Sequence, residues 1–207
     1  MASTTSERRR PHQSPAPAVV KIVVAGGFGA GKTTFIESIS DIDPISTEVA
    51  MSALAGELDA VPGKDSTTVT MDFGRITLSN GLWLYLFGTP GQDRFAFMWD
   101  DIARGAVGAV VLVDSERLEQ SFGAVDYFES RGLPFVVAVN CFDGLARHTL
   151  ADIRGALAVG PDVPLFYTDA RSREATKDSL IQVVAHAMNR LAPRVTAPAP
   201  APQRNVS

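Results

Sequence analysis

Apolar positions along this chain follow two rhythms that alternate from residue 19 to residue 191. Short apolar or β-branched runs predict strands at 19–25, 69–78, 82–87, 107–113, 134–139 and 164–168. Between them apolar residues return every three or four positions, which predicts helices at 32–40, 94–104, near 116–130, 149–158 and 172–191. That alternation is the pattern of an α/β three-layer sandwich built on a mostly parallel sheet. Asn80-Gly81 separates two of the strands and is a hairpin signal, so one edge pair is expected to run antiparallel. The last helix is expected to turn Leu180, Val184, Ala187, Met188 and Leu191 toward the core. Residues 41–66 show no clear period and contain Pro44, Gly56, Pro62 and Gly63, which predicts the longest irregular insertion of the domain.

Composition narrows the setting of this pattern. A length of 207 residues fits one domain plus tails, at about 100 to 200 residues per domain. Residues 1–17 are rich in Ser, Thr, Pro and Arg, and residues 193–207 contain an Ala-Pro alternation at 197–202. Both tails are expected to be disordered around a domain at 18–192, because neither can bury enough apolar surface to offset ordering. A net charge of -4 gives no footprint for nucleic acid, and Arg8-Arg9-Arg10 lies in a tail. With 45% apolar residues and no run near the roughly 18 that a membrane span needs, no direct membrane insertion is expected. The single Cys141, the lack of an apolar leader near Met1 and the lack of a lipid-attachment pattern make the cytoplasm the expected compartment.

Candidate chemistry begins directly after the first strand. Gly26-Gly27-Phe28-Gly29-Ala30-Gly31-Lys32-Thr33 fits the phosphate-binding pattern G-x-x-x-x-G-K-[ST], with Thr34 following. Four glycines in six positions let the backbone turn its N–H groups inward around phosphate oxygens, and the next helix aims its positive end at the same anion. Lys32 would reach the β and γ phosphates, and the Thr33 hydroxyl would complete a magnesium shell that otherwise keeps its waters. A chance glycine-rich turn is the bland alternative, but strand, loop, lysine and helix are all in place.

Three further strand ends carry polar residues. Leu84 to Phe87 runs into Gly88-Thr89-Pro90-Gly91-Gln92 at the expected carboxyl edge of the sheet, where open α/β folds bind ligands. There the Gly91 N–H could meet a γ-phosphate and the Gln92 carboxamide could orient a water, having a donor and an acceptor on one side chain. The strand 134–139 ends in Asn140-Cys141-Phe142-Asp143, and the strand 164–168 ends in Asp169-Ala170-Arg171.

These motifs, in this order and each after a strand, resemble those of Ras-like GTPases. Asn140 and Asp143 match the base-recognition pattern Asn-Lys-x-Asp, and Asp169-Ala170-Arg171 stands where that family reads the guanine oxygen with a backbone N–H. The runs Gly26 to Thr34, Met71 to Ile76 and Leu86 to Phe95 are more specifically similar to the prokaryotic small GTPases of the actinobacterial conservon type, related to the gliding-motility GTPases. The resemblance covers residues 19–191. It implies a P-loop NTPase fold, GTP/GDP and Mg2+ as ligands, and a regulatory switch that hydrolyses GTP slowly. It also implies two partners, a roadblock-domain protein and a sensor-kinase-like membrane protein, so that any visit to a membrane would run through a partner. Thr68 is the preferred switch threonine for magnesium and γ-phosphate, with Ser66 and Thr67 as alternatives in the same run. Catalysis would then rest on Gln92, Lys32 and Thr68, and the metal on Thr33 and Thr68.

Four departures temper the match. Gly88 replaces the aspartate that holds magnesium through water, and another carboxylate such as Asp72 would have to substitute. Cys141 replaces the base-motif lysine and cannot lay an alkyl stem over the base; it reads as a small loop residue rather than a reactive thiol. Phe28 should crowd the space of the water-orienting glutamine, and no arginine immediately precedes Thr68. Slow hydrolysis, near or below about 10⁻⁴ per second, is therefore expected, with Arg94 and Arg75 as candidate internal cations. The alternative is a nucleotide-binding scaffold with negligible hydrolysis. An ATP-driven partitioning enzyme is disfavoured because no extra lysine stands near the start of the loop. The segment Arg94 to Trp99 holds three aromatics and a methionine, enough for a core anchor or a partner patch.

Overall fold

The computed structural model describes residues 17–43, 45–50, 68–79 and 81–191. The tails at 1–16 and 192–207, Asn80, Ser66 and Thr67 lie outside the described residues, as do the side chains of Thr68, Asp93, Arg94 and Asp143.

Seven strands form one sheet in the order β2-β3-β4-β1-β5-β6-β7: β1 (Ala18–Gly26), β2 (Ile45–Ala50), β3 (Thr68–Leu78), β4 (Leu82–Gly88), β5 (Gly108–Val113), β6 (Phe135–Asn140) and β7 (Leu165–Thr168). From β4 to β7 every neighbouring pair is parallel. The hairpin strand β3 is antiparallel to β4, as its turn signal predicts. The expectation of a wholly irregular stretch at 41–66 is corrected at Ile45–Ala50, which adds an edge strand antiparallel to β3. Six residues paired on one side leave only a short alternation of Ile45, Thr47 and Val49, too little to stand out beside Pro44.

The sheet is buried on both faces because its strands carry apolar residues at odd and even positions alike. Ile22 and Val24 of β1 pack with Leu86, Val110 and Leu112 toward α1 (Lys32–Ile39) and α5 (Arg173–Leu191), which contribute Phe35, Ile36, Leu180 and Val183. Val23 and Ala25 face the opposite way with Val111, Val113 and Val137, under α2 (Trp99–Ala103), α3 (Phe122–Arg131) and α4 (Leu150–Ala156). Parallel pairing on a shared register therefore brings the ends of β1, β4, β5, β6 and β7 to a single edge.

Two helix expectations change in detail. The predicted helix at 94–104 is a 3-10 segment at Asp93–Met98 followed by the short α2, a break that lets Phe95, Met98 and Trp99 all turn inward and leaves Phe97 exposed. On α5 the buried line runs through Leu180, Val183 and Ala187, so Met188 is exposed rather than packed.

Candidate functional site

Gly26 closes β1 with φ +139°, and a Cβ there would stand 2.2 Å from the carbonyl oxygen of Leu112 on β5. No other residue fits between these two backbones, which is why the loop can begin so close to the sheet. Gly31 ends the loop at φ +100°, where a Cβ would strike the Asn140 amide nitrogen at 2.5 Å. Its carbonyl accepts from Phe35 N–H at 2.8 Å and so starts α1.

Lys32 is buried, and its Nζ donates to the carbonyls of Gly26 at 2.9 Å and Gly27 at 2.8 Å. Burial pulls its pKa down to about 8, partly offset by the charge of Asp72. An ammonium has three protons, so two carbonyls leave one donor for an anion in the loop. The neighbouring Thr33 donates its hydroxyl to Asp72 Oδ2 at 2.6 Å, with Thr33 and Thr34 both exposed at the start of α1. Phe28, Gly29, Gly31, Lys32, Thr33 and Asp72 line a cavity of about 380 Å³, closed on its far side by Thr89, Pro90 and Gly91.

That far side is the turn after β4. Thr89 N–H bonds Val24 C=O at 2.9 Å, which fixes the turn to β1, while its buried hydroxyl has no partner among the described residues. Gly91 lies against the loop so closely that a Cβ would meet Lys32 Nζ at 2.7 Å and Phe28 Cα at 2.9 Å. At Gly88 a Cβ would fall 3.1 Å from Asp72 Cβ, so the carboxylate of Asp72 stands beside the position where the family resemblance calls for an aspartate. Gln92 is exposed at the head of the 3-10 segment, and the Phe28 ring is 65% exposed, so the crowding at this point comes from Phe28 backbone rather than its ring. Arg75 stacks over Trp83 at 4.8 Å, toward the opposite end of the sheet from the loop, which removes it as an internal cation.

Asn140 joins the two halves of the site. Its buried amide donates to Ala30 C=O at 3.0 Å and its carbonyl accepts from Ala170 N–H at 3.1 Å. The phosphate loop, the end of β6 and the loop after β7 are thereby tied through one side chain. Asp169 accepts from Arg171 N–H at 2.9 Å and from Arg171 Nε at 3.0 Å, contacts that hold its carboxyl below the usual range. Cys141 is half-buried, with burial and the nearby Asp169 charge pushing its thiol pKa up, so it stays protonated at neutral pH. Asp143 follows in a 3-10 turn, Phe142–Gly144.

Sequence reasoning missed Asp114 and Arg117, which follow β5 at the same edge and form an ion pair at 2.7 Å. The position of an Asp-x-x-Arg at a strand's carboxyl end was the available signal. A group of three or more His, Cys, Asp or Glu side chains fit for a metal does not occur among the described residues. Nor does a helix long and apolar enough to cross a membrane.

The fold is that of P-loop GTPase G domains. The chain is similar to the G domain of the T. maritima FeoB iron transporter, with a TM-score of 0.57 and 19% identity over 82% of this chain and 99% of that one. It is similar to the FeoB G domain from Methanococcus jannaschii with a TM-score of 0.55 and 13% identity over 83% and 99%. In sequence it is 29% identical over 126 residues to an uncharacterized protein of Methanocaldococcus jannaschii, covering 60% of this chain and 71% of that protein. It is also 29% identical over 129 residues to translation initiation factor IF-2 of Persephonella marina, which spans 59% of this chain but 12% of the factor. With residues 24–190 matched by the family's profile, the chain is a nucleotide-binding P-loop protein that belongs to the family described as conserved hypothetical ATP binding proteins.

Proposed function

We propose that this protein is a small GTP-binding switch with slow hydrolysis, of the conservon type that its motifs resemble. The observation that carries the reading is the bridge through Asn140, which holds a phosphate loop and the two loops of a base site in one rigid unit. Asp143 stands where a carboxylate would accept from the paired donors of guanine, whereas adenine offers no donor at its ring nitrogen. That chemistry favours guanine, although the family description names ATP.

Lys32 and the loop N–H groups would hold the phosphates. Magnesium fits the oxygens offered here, because it takes few protein ligands and keeps its waters. Thr33 spends its hydroxyl proton on Asp72 and so keeps its lone pairs free for a cation, while Asp72 supplies the carboxylate that Gly88 cannot. Thr68, the first residue of β3, is the second metal ligand of this reading. Bound there by Thr33 and Thr68, magnesium would supply positive charge to offset that of the phosphate chain. Gln92 would orient the attacking water, a positioning role rather than a covalent one.

Gly91 stands close to the group that would meet a γ-phosphate, since a Cβ on it would fall 2.7 Å from Lys32 Nζ. The turn 88–92 would lift when the triphosphate binds and settle when it is lost, presenting two surfaces to partners. A roadblock-domain protein and a sensor-kinase-like membrane protein are the partners this reading assigns, the second bringing the switch to a membrane. The same contact favours the second reading, a nucleotide-binding scaffold with negligible hydrolysis, if the turn stays down. Single-turnover GTP hydrolysis by wild type and Gln92→Leu separates the two. Slow wild-type turnover abolished by the substitution, with binding intact, is expected; turnover unaffected by it would assign the water to another group, and none in either protein would leave the scaffold.

A further inference from the structure

A second cation reaches the phosphate loop from an element that no motif includes. Arg117 follows β5 and turns its guanidinium back onto Gly29, so that a Cβ on this glycine would lie 3.3 Å from Nη2 and 3.6 Å from Nη1. The orientation is set by Asp114, which accepts from Nε at 2.8 Å and pairs with Nη2 at 2.7 Å. Asp114 is mostly buried while Arg117 is less than half exposed, so the carboxylate is the anchor and the guanidinium the presented group. Two of the guanidinium nitrogens are occupied by the carboxylate, which leaves Nη1 at the loop without a partner among the described residues.

Arg117 also lines a cavity of about 320 Å³ with Asp114, Asn140, Phe142, Leu145 and Arg147, on the base side of the loop. The other cation of this cavity, Arg147, is held by Glu116 at 3.1 Å. Cys141, half-buried beside it with its thiol kept neutral, brings no charge. Arg117 is thus the cation set to meet an anion that lies along Gly29.

Resting on the nucleotide-site reading above, we propose that Arg117 is a nucleotide-binding residue whose guanidinium, aimed by Asp114, contacts the phosphate chain of the bound nucleotide alongside Gly29. The planar fork of arginine suits such a contact, because one edge is spent on the carboxylate while the opposite donor stays fixed in direction for a phosphate oxygen.

The test starts with GDP binding to the stripped wild-type protein in magnesium, by calorimetry, followed by Arg117→Ala and Arg117→Lys. Loss of about tenfold or more in affinity is expected for Arg117→Ala, with a smaller loss for Arg117→Lys and a shallower salt dependence than wild type. Affinity within about twofold of wild type for Arg117→Ala would overturn the assignment while leaving the nucleotide site standing. A wild-type protein that binds no GDP, ADP, GTP or ATP would instead overturn the site reading, and this assignment with it. A readout free of substitution comes from phenylglyoxal labelling of wild type, mapped by mass spectrometry. GDP should shield Arg117 and spare Arg104 as internal control; equal labelling of Arg117 with and without GDP would also overturn it.

Discussion

The phosphate half and the proposed base half of this site are built in opposite ways. The phosphate half is one contiguous run, Gly26 to Thr34, in which backbone approach at Gly26 and a positive φ with the Asn140 amide close by at Gly31 dictate glycine, and the buried Lys32 is bonded to the loop's own carbonyls. The base half is assembled from the ends of β6 and β7 and held by the single side chain of Asn140. One half is over-determined by its own geometry. The other depends on side-chain chemistry, and at Cys141 it departs from the pattern it resembles.

The contrast predicts a ranking of damage. Gly26→Ala should be the most severe change, because a Cβ 2.2 Å from a backbone oxygen cannot be relieved by a side-chain rotation. We expect a loss of about 3 kcal/mol or more, read by denaturant unfolding, together with loss of binding. Lys32→Ala should weaken GDP binding by about a hundredfold or more without lowering the stability of the empty protein, since the substitution removes a charge whose burial is unfavourable. Unfolding and calorimetry on the same preparation separate these two effects.

Charge at Lys32 gives the comparison a pH dependence. Its pKa in the folded, empty protein is about 8, below the 10.5 of an unperturbed lysine. Below about pH 8 the folded state carries the full cost of the buried ammonium, and that cost fades as pH rises toward 10.5, so the empty protein gains stability across this window. A bound polyphosphate would restore the charge. Binding should therefore take up a proton above about pH 8 and little at about pH 6.5, as measured by calorimetry in buffers of different ionisation enthalpy.

Changes in the base half should be milder and more selective. Asp143→Asn is expected to cut the preference for GDP over ADP by about tenfold while leaving unfolding within about 0.5 kcal/mol of wild type. Cys141→Ser should be the smallest effect, within about twofold in affinity, because the thiol makes no bond stronger than a 3.8 Å contact to Val139 C=O.

The same asymmetry explains what could be read from the chain. The phosphate loop was legible because its chemistry is local: eight consecutive residues, Gly26 to Thr33, bring both the conformation and the ligand groups. The positions of the strands followed from apolar runs such as Val19 to Ala25 and Val136 to Val139, and the hairpin from its turn signal. Asp72 was legible only as a candidate, since its contact with Thr33 spans 39 positions and arises from sheet pairing. Arg117 offered only the Asp-x-x-Arg spacing at a strand's carboxyl end, and its approach to Gly29 depends on how the turn after β5 folds back, which that spacing does not encode. The edge strand at Ile45–Ala50 and the 3-10 segment at Asp93–Met98 were hidden for a related reason: both are held by neighbours rather than by their own period.

Whether the base half still reads guanine decides between a guanine-specific switch and a bare phosphate-binding fold. Equilibrium binding of GDP and ADP to protein stripped of copurified nucleotide, side by side in magnesium, measures it. A clear preference for GDP is predicted, carried by Asp143 despite Cys141. Equal affinities, or a preference for ADP, would contradict the guanine reading and would leave the phosphate loop as the functional core of this chain.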